Sequence, residues 1–175
     1  MELALYHPRH GYYSASTPRF GRAGDYLTAA TASRWYATVL AHCLESLADA
    51  LGPLTVVDVA SGDGAFVDQL IAPEEQRRTE WLRRVVSVER SQAMRDRQET
   101  RFGGVPETVM VAGRLNEVQR PEGAVVVHAC ELYDALPVHR VVARQEGLRE
   151  LWVGADGEGL QWQERPARPE LAEYL

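Results

Sequence analysis

The sequence has no lysine: all 19 basic residues are arginine, which we read as compositional bias rather than mechanism. Set against 25 acids they leave a net charge of −6. That argues against a general nucleic-acid binder, because such binding neutralises phosphates with Lys and Arg. Cysteine is scarce. Cys43 and Cys130 lie far apart and fit no metal or redox spacing, so a reducing cytoplasm is the simplest location. No His/Cys/Asp set has zinc spacing, and no metal site is expected. Apolar runs stay well short of the ~18 residues that suggest a membrane span. The opening "MELALYHPRHGYY" lacks a basic stretch followed by an apolar one, so no secretory signal is expected. The absence of G-x-S-x-G argues against an α/β-hydrolase.

What remains is the make-up of one soluble globular domain. Residues 1–30 are rich in Gly, Tyr, Pro and Thr and read as loops turning at Gly11, Gly21 and Gly24. They are either functional loops or a tail wrapped on the core. Tyr36, Leu40, Cys43, Leu47 and Leu51, widened by Leu44 and Ala48, predict a helix stopped at Gly52–Pro53, with His42 and Glu45 on its wet side. "LTVVDV" (54–59) predicts a strand and residues 64–71 a helix. "EEQRRTEWLRRV" after Pro73 predicts a second helix, its arginines and acids interleaved on a solvated face. "VVSVE" (85–89), a helix from Ser91 to Gly103–Gly104, a weaker strand (107–112) and the apolar strand "AVVVHA" (124–129) follow. Strands alternating with helices imply βαβ units and a parallel sheet. Beyond "DALPVHR", the runs "RVVAR", "RELWVG" and "GLQWQER" predict an antiparallel meander, and "PARPELAEYL" the start of a helix. The expected organisation is an N-terminal segment (1–53), an α/β core (54–140) and a meander with the start of a C-terminal part (141–175).

"VDVASGDGAF" (57–66) sets a strand directly against small residues and a helix start. Backbone N–H groups there can hold a ligand, and glycines let it approach. The dinucleotide pattern G-x-G-x-x-G/A fits only loosely, as Ala60, Gly62 and Ala65 or as Gly62, Gly64 and Val67. A tight structural turn is the alternative. Glu89 ends the next strand, where an α/β fold places an acid for ribose hydroxyls. Together they favour an adenosine-type cofactor without separating NAD from S-adenosylmethionine. In "HACELYDALPVHR" (128–140), Glu131 and Asp134 either face one pocket or cap a turn, and His128 reads as a strand-side histidine.

Five segments taken together resemble the MidA-type class I S-adenosylmethionine-dependent methyltransferases, which include a mitochondrial complex I assembly methyltransferase. They are "GYYS" (11–14), "FGRAGDYLTAATAS" (20–33), "VVDVASGDGAFVDQL" (56–70), "VVSVERSQAMRDRQ" (85–98) and "ELYDALPVHR" (131–140). The resemblance implies a Rossmann-like sheet with helices on both faces and S-adenosyl-L-methionine as cofactor. It places that cofactor on Asp58, Ala60, Gly62, Gly64 and Glu89, under N-terminal loops carrying Gly24, Asp25 and Thr28. A mitochondrial relative that modifies a protein arginine suggests a protein substrate, with Glu131 and Asp134 holding the guanidinium fork. A homodimer is a further possible assembly.

The chain departs from the family pattern at Ala60 (a glycine), at Ala30 and Thr31 (a Pro and a Glu), and at Cys130 (an Asn), and the later strands of the sheet are missing. Two rival readings follow: a non-catalytic relative that binds a partner, and an NAD(P)-binding domain. With those strands missing, the fourth strand is expected at the edge of the sheet, beside the first.

Overall fold

The computed structural model describes residues 1–14, 24–72, 79–103 and 107–174. The turns expected at Gly21 and Gly104, residues 20–23 of "FGRAGDY" and the arginines at 77 and 78 lie outside them. The chain divides into two compact units, Met1–Leu136 and Pro137–Leu175.

The first unit is built on valine-rich strands, whose branched side chains pack well on a pleated surface. In chain order it holds α1 (Glu2–Tyr6), α2 (Ala29–Ala32), α3 (Arg34–Leu51), β1 (Leu54–Val59), α4 (Ala65–Ile71), β2 (Leu82–Val88), α5 (Gln92–Arg101), β3 (Val109–Ala112) and β4 (Ala124–Ala129). The strands form one parallel sheet in the order β3-β2-β1-β4, the α/β arrangement expected, with β4 at an edge beside β1. Asp58 lies opposite Ser87 on one side and His128 on the other, so all three share a face.

That face carries the main core. Leu54, Val56 and Val85 pack under Ala37, Ala41, Leu44 and Ala48 of α3 and under Phe66, Val67 and Leu70 of α4. On the opposite face Val57, Val86 and Val88 pack with Val59, Met110 and Val118, a residue that follows β3. β4 alternates. Val125 and Val127 are 41% and 64% exposed, whereas Val126 packs against the core. A strand covered on both faces reads as continuously apolar, but the side of β4 that bears Val125 and Val127 is exposed.

Three local expectations shift. The buried stripe of α3 is Ala37, Ala41, Leu44 and Ala48, while Cys43, Leu47 and Leu51 are exposed. Small alanines let the helix lie close to the sheet, so larger residues move to its flanks. Of the helix expected after Pro73, residues 74–78 lie outside the described residues, Thr79–Trp81 form a 3₁₀ turn, and "LRRV" belongs to β2. There Leu82 pairs with Leu54 and Arg84 with Thr55, so sheet pairing overrides the helix propensity of arginine. The N-terminal stretch, expected to be all loop, contains α1 and α2. Thr28 caps α2: its hydroxyl accepts the Thr31 N–H, and the Thr31 hydroxyl accepts the Thr28 N–H. Thr31 therefore does locally what the family's Glu would do in a capping box.

The second unit is the expected antiparallel meander, β5 (Arg140–Arg144), β6 (Gly147–Asp156) and β7 (Gly159–Pro166), followed by α6 (Pro169–Tyr174). Within it Glu150 is buried and accepts from His139 Nδ1 at 2.7 Å and Arg168 Nη2 at 3.1 Å. The His139 hydrogen bond, then that of Arg168, holds its carboxyl below the usual range.

Candidate functional site

At the C-terminal end of β1 the chain passes through three left-handed residues, Ala60 (φ 61°), Gly62 (φ 59°) and Gly64 (φ 80°), which turn it from strand into α4. The N–H groups of Ala60 and Ser61 donate to the Val88 carbonyl at 2.9 and 3.2 Å. The loop is therefore stitched to β2 before its glycines are reached. Two glycines serve the conformation directly. Gly64 is also close-packed, since a Cβ there would meet Phe102 Cζ at 2.8 Å and Gln98 Cγ at 3.0 Å.

Glu89, just past β2, is 8% exposed. Its Oε2 accepts the Gly62 N–H at 2.9 Å and its Oε1 the Ser91 N–H at 2.7 Å. Burial outweighs those two donors and pushes its carboxyl above the usual value of 4.5. The other side of Gly62 is held by Gln98, fully buried on α5. Gln98 Nε2 donates to the Gly62 carbonyl at 2.7 Å, while its Oε1 accepts from Ser87 Oγ at 2.8 Å. The loop donors expected to be free for a ligand are thus partly used inside the protein: Gly62 N–H by Glu89, and Gly64 N–H by the Ser61 carbonyl.

The N-terminal segment reaches this end of the sheet. Ser91 Oγ donates to the Tyr13 carbonyl at 2.5 Å. Arg90 pairs with Glu2 and lies 4.3 Å from the centre of the Tyr6 ring. Tyr12 donates to Asp25 Oδ2 at 2.7 Å, and Tyr26 to the Tyr13 hydroxyl at 3.4 Å. Gly24 precedes Asp25, and Thr28 caps α2.

Asp58, with a side chain 4% exposed, anchors a second cluster. Its Oδ2 accepts from Ser61 Oγ at 2.6 Å and its Oδ1 lies 2.6 Å from His128 Nδ1. His128 Nε2 meets the Tyr36 hydroxyl at 2.8 Å, and its ring stacks on Phe66 at 4.2 Å. Burial, then a hydrogen bond with Cys130 and the charges around it, pushes the Tyr36 phenol up, so it stays protonated at any ordinary pH. Glu131 follows at φ 56°, exposed. Asp134 is exposed in the 3₁₀ turn Tyr133–Ala135. Glu131's charge reaches Tyr36 and Tyr26.

The structure thus gathers Asp58, Ala60, Gly62, Gly64 and Glu89 at one end of the sheet. Gln98 and Tyr36 are additional members that the sequence did not single out for the site, and His128, read only as a strand-side histidine, joins them. His128 was legible in principle: once β1 and β4 are neighbours, it shares Asp58's register position.

A family model described as "Putative S-adenosyl-L-methionine-dependent methyltransferase" matches residues 34–175. A COG1565 superfamily member from Burkholderia thailandensis, crystallised with S-adenosyl-homocysteine, is 31% identical with a TM-score of 0.75, over 99% of this chain and 46% of that one. A native crystal structure of a COG1565 superfamily protein from the same organism is 30% identical with a TM-score of 0.67, over 99% of this chain and 44% of that one. The chain spans less than half the length of both. No curated protein matches it. By the extent of the family match, and by an α/β fold shared over its whole length with these structures, the chain belongs to the S-adenosyl-L-methionine-dependent methyltransferase family which that model describes.

Proposed function

We propose that this chain binds S-adenosyl-L-methionine at the end of β1 and β2 and supplies the cofactor-binding part of a methyltransferase. The observation that carries the reading is Glu89. An ionised carboxylate has about four acceptor positions. Two are used by the N–H groups of Gly62 and Ser91, and burial still dominates its titration. Such a carboxylate is under-supplied with donors, and the vicinal hydroxyls of a ribose would supply two more. The S-adenosyl-homocysteine held by the Burkholderia thailandensis relative carries that ribose.

When bound, the cofactor brings a methyl group on a sulfonium sulfur. The protein's part is to position and to exclude water. Glu89 orients the ribose, the loop from Ala60 to Gly64 sets the distance of closest approach, and Tyr12, Tyr13 and Asp25 form a wall from the N-terminal side. As methyl acceptor we propose a protein segment, with arginine favoured. Glu131 and Asp134 are exposed carboxylates beyond β4, suited to a planar guanidinium. The free thiols of Cys43 and Cys130 suit a reducing cytoplasm, where we place the protein. Among the described residues no helix is long and apolar enough to cross a membrane.

Calorimetric titration with S-adenosyl-homocysteine and, separately, with NAD tests the reading. Saturable binding of the first and none of the second is expected. Binding of NAD alone would replace this reading with that of a dinucleotide-binding domain.

A further inference from the structure

His128 and Tyr36, which stand behind Asp58, have no place in the resemblance or in the proposed reaction. We infer that His128 is a positioning residue that clamps the loop after β1 through Asp58 and Ser61, with Tyr36 holding His128 from α3. As a statement about ligand affinity this rests on the function proposed above. As a statement about the loop it stands alone.

The argument begins with donors and acceptors. A carboxylate only accepts. Asp58 Oδ2 takes the Ser61 hydroxyl at 2.6 Å, and Oδ1 therefore takes the Nδ1–H of His128 at 2.6 Å. In the neutral ring that leaves Nε2 as an acceptor, which the Tyr36 hydroxyl fills at 2.8 Å. Each bond fixes the next: Tyr36 sets the ring, the ring sets Asp58, and Asp58 sets Ser61, whose backbone lies between Ala60 and Gly62. The chain joins four elements, α3, β4, β1 and the loop. Asp58 is buried and His128 partly buried, with side-chain exposures of 4% and 15%. An unpaired carboxylate so placed would be costly. Stacking on Phe66, at 4.2 Å and 27° between planes, holds the ring by packing alone and so is separable from its hydrogen bonds.

That separation supplies the test. His128→Phe keeps a ring on Phe66 but removes both nitrogens. His128→Asn loses the ring and leaves a gap, but its amide can occupy the place of Nδ1–H against Asp58. Positioning predicts opposite orders for two measurements. Melting temperature should be higher for His128→Phe than for His128→Asn. Affinity for S-adenosyl-homocysteine should fall at least about tenfold in His128→Phe and stay within about threefold of wild type in His128→Asn. Amide hydrogen exchange at Ser61 and Gly62 in the ligand-free protein should quicken in His128→Phe and not in His128→Asn. Tyr36→Phe, which removes one hydroxyl, should give a smaller effect of the same sign and add nothing in the His128→Phe background. Affinity that follows melting temperature, or exchange unchanged in His128→Phe, would overturn the inference. If wild type itself fails to bind S-adenosyl-homocysteine, the proposed function falls, while the order of exchange rates still decides the clamp.

Discussion

Phe102 Cζ lies 2.8 Å from where a Cβ on Gly64 would sit. The glycine that opens α4 is thus demanded from behind, by a side chain at the end of α5, and by its own φ of 80°. Gly64→Ala should cost about 2–5 kcal/mol, from overpacking and left-handed strain together. Combining it with Phe102→Leu should return the steric share and leave the conformational one. Chemical denaturation of the four proteins measures this. Strict additivity of the two changes would show that Phe102 does not impose the glycine.

Ala60 occupies the same left-handed region without being glycine. An L-residue pays roughly 1–2 kcal/mol there, partly offset by the extra freedom glycine gives the unfolded chain. Ala60→Gly should therefore stabilise the protein by up to about 1 kcal/mol. A lower denaturation midpoint in Ala60→Gly would contradict the backbone geometry.

Glu89→Gln keeps the shape of the side chain but removes its charge. Hydrogen bonds to charged groups are worth roughly 1.5–3 kcal/mol, so affinity for S-adenosyl-homocysteine should fall about 10- to 100-fold. A 2′,3′-dideoxy analogue should bind wild type and Glu89→Gln alike. Equal discrimination against the analogue by both proteins would remove Glu89 from the ribose.

The same carboxylate predicts a pH window. Burial holds its folded value above 4.5. In the ligand-free protein its contribution to stability is complete below 4.5 and is lost as pH rises through the raised value. Ligand affinity runs the other way, because the ribose hydroxyls need the ionised form. Affinity should decline as pH falls through the raised value, and binding there should release up to about one proton. Titrations in buffers of differing ionisation enthalpy read that proton. Constant affinity down to about pH 4.5 would refute it.

Val125 and Val127 stand on the exposed side of β4, and among the described residues β4 pairs with β1 alone. An apolar edge strand is a template for pairing. We expect the 175-residue chain to self-associate and Val127→Lys to reduce that association. Light scattering that shows a monomer at high concentration would count against it.

The strands were legible because valine runs bounded by turns have few other readings, but β4 could be placed beside β1 only through the strand order that the family resemblance implies. "LRRV" was misread because the exposed arginines that open β2 look like a wet helix face until pairing with β1 is known. In α3 the apolar period marked a real helix and half of its buried face, Leu44 and Ala48 with Tyr36 and Leu40 beside them, but missed Ala37 and Ala41, since alanine's fit against the sheet depends on distance rather than hydrophobicity. At the site, Glu89 and the small-residue loop are local signals. Gln98 and Tyr36 are not, for their roles exist only where α5 and α3 meet the loop and the sheet.

Gly62 is gripped on both its peptide groups, its N–H by Glu89 and its carbonyl by Gln98. Glycine has more backbone freedom to lose than any other residue, and ordering one residue costs roughly 1–2 kcal/mol. Here that entropy is surrendered when the chain folds. A ligand arriving at the loop meets a rigid rim, and its binding entropy carries no charge for ordering this residue.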